Sequence, residues 1–298
     1  MKKFIIVTDS SCNLEESFRK QFDIEYLSLL YVLDGKTYEA DLDWKTISAK
    51  EYYELIRQGN VIKTAQITQV TYKQAFENWI KQGYDVLYVG CSSSISASIK
   101  SSYVVRDELK KEYPEAKVIC VDSLRACYAL GLLVIRAAEL RAEGKTIEEV
   151  AAWLEENKLT ANMEGSVDKL VYLKRAGRVS AASAFFGGLL NIKPIIMADA
   201  RGANFAVEKV KGRRTSLERV AERVAATIED VPYQRVIISH ADCLEDAQLL
   251  KQLVCEKAGK ELDVHFGWVE PAVGASVGPG MLGIYYFGKK VTVNAIEE

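Results

Sequence analysis

The chain has 298 residues, 49% hydrophobic and 27% charged with only 5 prolines, a composition that excludes disordered and fibrous classes and suffices for one large or two smaller cores. Thirty-nine basic against 41 acidic residues leave a formal net charge of -2, without the basic excess of a dedicated nucleic-acid binder. No apolar run reaches membrane-spanning length.

The apolar run at residues 4–7 ends at Thr8-Asp9, too short for the core of a signal peptide, so the protein is expected in the cytoplasm. The six cysteines (Cys12, Cys91, Cys120, Cys127, Cys243, Cys255) form no C-x-x-C pair and no short spacing to His240 or His265. Reduced thiols and no zinc site are expected.

The first half alternates short β-branched runs with longer periodic ones, the pattern of an α/β unit with a mostly parallel sheet wound with helices. Strands are expected at 4–7, 24–33, 85–90 and 117–121. Asn13 with Glu16 reads as a capping box opening a helix, and Ser48 with Glu51 as another, whose helix stops at Gly59. Asp34-Gly35 turns the chain. Helices are expected from Thr68 to near Gly83, over 96–113 before Pro114, over 124–143, and behind a cap of Thr146 and Glu149.

Around Thr160 the pattern restarts, which divides the chain into 1–160 and 161–298, the second part a mixed α/β unit. Its expected strands are 161–167, 193–198, 204–209, 235–239, 262–269 and 281–287, with Arg201-Gly202 turning between the second and third. Its expected helices begin at Asp168, span 180–190, follow a cap of Thr215 and Glu218, and span 245–257. No repeat of 20 to 50 residues is present.

Hydroxyls gather where expected strands feed expected helices: Thr8-Asp9-Ser10-Ser11, Thr64-Ala65-Gln66, the run from Ser92 to Ser98, and Ser276 within the glycine-rich stretch 274–280. In a parallel sheet such loops emerge together at the carboxyl edge. Free N–H groups and neutral hydroxyls there suit an anion, and the same serines serve equally as helix caps.

Gly274-Ala275-Ser276-Val277-Gly278 matches the G-x-S-x-G nucleophile elbow. An elbow needs a helix after the serine, whereas Pro279-Gly280 and a β-like run follow, and no Asp or His lies downstream. The stretch reads instead as a tight turn or a close approach of backbone to a ligand. The basic run from Tyr172 to Ser180, followed by the small and apolar residues 181–190, is either plain core beside a solvated face or the thin wall of an apolar cavity. His240-Ala241-Asp242 at the end of a strand offers a candidate catalytic pair, but adjacent residues on a strand end point apart, and His240 is taken as structural. Walker A and dinucleotide fingerprints are absent, and no cofactor is expected.

Six motifs in order, Thr8-Asp9-Ser10-Ser11, Lys63-Thr64-Ala65-Gln66, the serine loop to Ser98, Gly177-Arg178 with Asn191-Ile192-Lys193-Pro194, His240-Ala241-Asp242 and Val277-Gly278-Pro279-Gly280, together resemble the DegV family, the fatty-acid-binding subunits of bacterial fatty acid kinase. The resemblance implies two α/β domains and a long-chain fatty acid with its chain buried in the C-terminal one and its carboxylate at the interface. It implies a lipid carrier rather than an enzyme, presenting that carboxylate to a separate ATP-using kinase subunit whose acyl phosphate feeds phospholipid synthesis.

Carried over residue by residue, the carboxylate contacts fall on Thr64 and Ser96 with Ser276, supported by Ala65, Ser94, Ala97, Ser98 and Gly278. The acyl-chain pocket is expected from Phe185, Leu189, Ile195, Phe266 and Ile284, and kinase docking from Arg178 and Arg213. Three departures stand out: Ser276 where the family has a histidine before Val-Gly-Pro-Gly, Ala65 for a serine, and Ala97-Ser98 for Gly-Thr. The rival readings are a serine hydrolase, a small-anion sensor, and a regulatory protein acting by protein contacts.

Overall fold

The computed structural model describes residues 3–180 and 191–295. In chain order its strands are β1 (Phe4–Asp9), β2 (Ile24–Leu27), β3 (Leu30–Leu33), β4 (Lys36–Glu39), β5 (Lys63–Ala65), β6 (Asp85–Gly90), β7 (Val118–Asp122), β8 (Ala161–Ser166), β9 (Val179–Ser180), β10 (Ile192–Ala198), β11 (Asn204–Lys211), β12 (Val236–His240), β13 (Val264–Trp268) and β14 (Leu282–Phe287). The helices are α1 (Glu16–Phe22), α2 (Ala49–Arg57), α3 (Gln69–Lys81), α4 (Ser98–Glu112), α5 (Cys127–Ala142), α6 (Ile147–Asn157), α7 (Leu170–Ala176), α8 (Arg213–Thr227), α9 (Leu244–Ala258) and α10 (Pro271–Val277).

Every residue of β1 and β6 is buried, as the central strands of a parallel sheet covered on both faces must be. The sheet runs β2-β1-β6-β7, all parallel. Side chains alternate along it: Phe4, Ile6, Leu87 and Val89 pack with α5 and α6, while Ile5, Val7, Val86 and Tyr88 pack with α3 and α4. A mixed sheet of order β13-β12-β14-β8-β10-β11-β9 follows in the second half. One of its faces, with Ile195, Ile238, Leu282 and Ile284, packs on α8 and α9. Its other face presents Tyr285 and Phe287 to α5, and Val167, Ile196 and Met281 to a core shared with the first half. A small antiparallel sheet, β4-β3-β5, flanks that shared core. The α/β class, with one parallel and one mixed sheet, is as expected.

Four local expectations change. The run 24–33 is two strands, because the chain leaves the parallel sheet after β2 and enters the small sheet at β3, pinned by Leu29 N donating to Ser10 Oγ at 3.0 Å. Asn13 caps no helix: it closes the 3-10 turn Ser10–Cys12 in the left-handed region at φ 62, which asparagine tolerates, and its Oδ1 accepts from Glu270 N at 3.3 Å. Thr215 and Glu218 lie inside α8, since β11 stays paired to Lys211 and the chain bends at Gly212, φ 93. Ser180 is the end of β9, paired with β11, so a helix does not begin there; the rest of the expected helix, 181–190, lies outside the described residues. The boxes at Ser48/Glu51 and Thr146/Glu149 form as read.

Candidate functional site

The carboxyl ends of β1, β6 and β7 open into three loops on one edge of the parallel sheet. At the first, Asp9 gathers four donors: Ser11 N (3.0 Å) and Ser11 Oγ (2.5 Å) on Oδ1, Tyr88 OH (3.0 Å) and Cys91 N (2.7 Å) on Oδ2. Complete burial nevertheless pushes its carboxyl up from the ordinary range, the hydrogen bonds only moderating the shift.

The second loop carries the serines. Ser96 Oγ donates to Ser98 Oγ at 3.1 Å and accepts from Ser98 N at 3.3 Å, while Ser98 Oγ accepts from Ile67 N at 3.3 Å. Through that chain the serine loop holds the segment after β5, on which Thr64 sits. Ser92 and Ser94 donate away from this point, to Gly202 O (2.8 Å) and Arg201 O (2.6 Å), and fasten the loop to the turn between β10 and β11.

α10 closes the site from the other half. Its N-cap Glu270, buried, accepts from Ala272 N and Val273 N at 2.6 Å each, and Tyr52 and Tyr53 donate to Pro271 O and Val269 O, also at 2.6 Å. Burial lifts the Glu270 carboxyl to about 8. Gly278 then turns the chain at φ 74, where an added Cβ would collide with the Tyr172 ring of α7. Ser276 lies in the last helical turn, so the expected loop over 274–280 is helical up to Val277.

These elements line a partly open cavity of about 260 Å³. From the sheet edge and β5 come Ser11, Thr64, Gln66, Cys91, Ser96 and Cys127; from the mixed sheet Met163, Gly165, Val167 and Ile196; from α7 and α10 Leu173, Val273 and Ser276. Thr64, Ser96 and Ser276 thus share one cavity, with Ala65, Ala97 and Arg178 also on its wall. Ser98 sits behind Ser96, Ser94 is turned outward to Arg201, and Gly278 supports the approach of α7 to α10.

Ile195, Phe266 and Ile284 are corrected: they pack with α8 and α9 on the far face of the mixed sheet. One residue along each strand reverses the face, and the cavity side of β10 is Ile196. Phe185 and Leu189 lie outside the described residues. Arg213 opens α8 and donates to Asp246 at 2.8 Å, apart from the cavity wall.

No serine-hydrolase constellation surrounds Ser276 among the described residues. Its Oγ reaches only Ala272 O at 3.5 Å, His240 packs against Trp268 with ring centroids 4.4 Å apart and planes tilted by 52°, and His265 faces Glu15 at 3.1 Å. Asp242 pairs with Arg57 at 2.6 Å, so His240 and Asp242 form no dyad. Sequence reasoning missed Met163, Val167, Leu173 and Ile196, which carry no signal beyond being apolar, and Glu270, one acid among 41.

A family model described as "Uncharacterised protein, DegV family" matches residues 3–289. The chain belongs to the DegV family. This DegV protein is 36% identical over 288 residues to a DegV domain-containing protein of Clostridium perfringens, covering 97% of this chain and 98% of that one. Among solved structures it resembles a DegV family protein from Thermus thermophilus described by its fatty acid binding, with TM-score 0.84, 25% identity and coverage of 97% and 100%. It also resembles DegV from Bacillus subtilis, described as a fatty acid binding protein, with TM-score 0.81, 27% identity and the same coverage.

Proposed function

We propose that this DegV protein binds a long-chain fatty acid, its tail against Met163, Val167, Leu173 and Ile196 and its carboxyl group beside Thr64, Ser96 and Ser276. The cavity carries the reading, because a wall of hydroxyls meets a wall of apolar side chains inside one partly open pocket. Its likeness to the Thermus thermophilus and Bacillus subtilis proteins supports it. Each buried methylene contributes about 0.8 kcal/mol, whereas each head-group hydrogen bond adds about 1 to 3 kcal/mol. The tail therefore supplies most of the affinity, and the hydroxyls select and orient the head.

In this reading a division of the chain near residue 160 places Thr64 and Ser96 in one domain and Ser276 in the other. The protein is a cytoplasmic carrier, not itself a catalyst, and presents the acid to a separate ATP-using kinase subunit. Arg178 on the cavity wall and Arg213 at the start of α8 are its docking residues. Serine at 276 cannot carry charge near neutral pH, so handover is slow and Ser276→His raises it.

Organic extraction of the purified protein followed by mass spectrometry is expected to yield a C14 to C18 acid near one per chain. Thr64→Ala and Ser96→Ala each weaken rebinding, and the double variant is less than additive because both serve one head group. An empty protein that also fails to bind a labelled fatty acid would sink the reading.

A further inference from the structure

The direction of the hydroxyl protons constrains the charge of the head group. Ser11 Oγ donates to Asp9 at 2.5 Å, Ser96 Oγ donates to Ser98 Oγ at 3.1 Å, and Ser276 Oγ leans on Ala272 O at 3.5 Å. With its proton committed to an acceptor within the protein, each oxygen has only acceptor capacity left for a ligand. An ionised carboxylate only accepts, and would meet those acceptors with lone pairs of its own. A protonated carboxyl group donates one proton to such a wall and accepts at its carbonyl, where Thr64 and Gln66 remain able to donate.

Charge leads the same way. Among the described lining residues Arg178 is the one cation, and its Nη1 is turned back to Ala176 O at 2.5 Å. Residues 181–190 hold no ionisable side chain. Two buried acids stand behind the polar wall: Asp9, one hydroxyl away through Ser11, and Glu270, whose two acceptor bonds hold Ala272 and Val273 of the wall. Tyr72, Tyr88 and Cys91, which face Asp9 from α3, β6 and the loop after it, are pushed toward their neutral forms by the same burial. Negative charge is disfavoured in this region.

We propose that the cavity holds its ligand's head group uncharged, a long-chain fatty acid bound as the neutral COOH form rather than as carboxylate. The proposal rests on the fatty-acid reading above and specifies its ligand. A long-chain alcohol, which also donates one proton and accepts another, is the matched probe.

Full-length protein stripped of lipid is titrated with radiolabelled hexadecanoic acid and with hexadecan-1-ol from pH 5.5 to 8.5. The alcohol profile absorbs any titration of Asp9, Glu270 or the groups around them. Above the free acid's own pKa, the ratio of acid Kd to alcohol Kd is expected to rise about tenfold per pH unit, the limit when only the neutral fraction binds. A ratio independent of pH, or acid binding without alcohol binding, overturns the proposal and leaves the fatty-acid reading standing. Binding of the alcohol alone removes the acid as ligand and overturns both the proposal and the fatty-acid reading. Failure of both to bind overturns both readings.

Discussion

Glu270 carries a pH dependence that its hydrogen bonds alone would not suggest. It accepts two backbone N–H bonds at 2.6 Å, which favour the carboxylate, yet burial dominates and lifts it from 4.5 to about 8. Between those two values the folded chain keeps a proton that the unfolded chain has lost. Stability therefore falls as pH rises through that window, by at most about 1.4 kcal/mol per unit, and levels off above it. Urea unfolding at pH 5, 6, 7 and 8 is expected to show a shallower fall for Glu270→Gln than for the parent. Parallel profiles would remove Glu270 from the pH dependence. Hydroxyl clusters at strand-to-helix junctions were legible in the sequence, and the family resemblance pointed to Thr64 and Ser96 within them, but Glu270 carried no such signal, since its burial comes from α2, Asn13 and α10 converging.

At the scale of elements, α10 and α7 meet because Gly278 lacks a side chain. Its φ of 74 is unfavourable for L residues, and a Cβ there would enter the Tyr172 ring. Gly278→Ala is expected to destabilise the fold by about 2 to 4 kcal/mol, from left-handed strain plus overpacking, and to weaken ligand binding by displacing Ser276 and Leu173. Val277→Ala, next to it in the chain, removes side-chain atoms without adding strain and serves as the comparison. Equal stability of Gly278→Ala and the parent, measured by urea unfolding, would refute the close approach. Strand positions in β6 and β10 were readable from β-branched runs, whereas the face each residue takes was not. Ile195 and Ile196 are identical in chemistry, and register against β8 and β11 sends one to α8 and the other to the cavity.

Across the whole molecule, Arg125 ties the parallel sheet's edge to the mixed sheet. It is buried to 1% exposure, and its guanidinium donates to Ala161 O (2.6 Å), Leu124 O (2.7 Å), Asp199 O (3.1 Å) and Leu159 O (3.3 Å). Burial draws its pKa down to about 10, so it stays charged at neutral pH and the four carbonyls take the place of a counter-ion. Arg125→Met leaves those carbonyls short of a donor and is expected to cost about 2 to 4 kcal/mol in urea unfolding. Arg125→Lys recovers only part, because an ammonium cannot span the same fork of acceptors. A methionine variant within about 0.5 kcal/mol of the parent would show that the clamp contributes little.

Period, caps and hydroxyl clusters are local properties, and from them the sequence by itself determined the α/β class, most strand and helix positions and the loops where hydroxyls gather, while the family resemblance pointed to Thr64, Ser96 and Ser276 within them. One cap failed because a distant group claimed the capping residue, as Glu270 claims Asn13, and another, Thr215 with Glu218, because β11 stays paired to Lys211 and the helix begins earlier. Only the tertiary structure decided that those three hydroxyls share a cavity, that Ile196 rather than Ile195 lines it, and that Ser276 ends a helix. It also decided which acceptors the Ser11 and Ser96 hydroxyls find and that burial lifts Asp9 and Glu270. Strand register and burial depend on residues far apart in the chain, and no short window of sequence contains both partners.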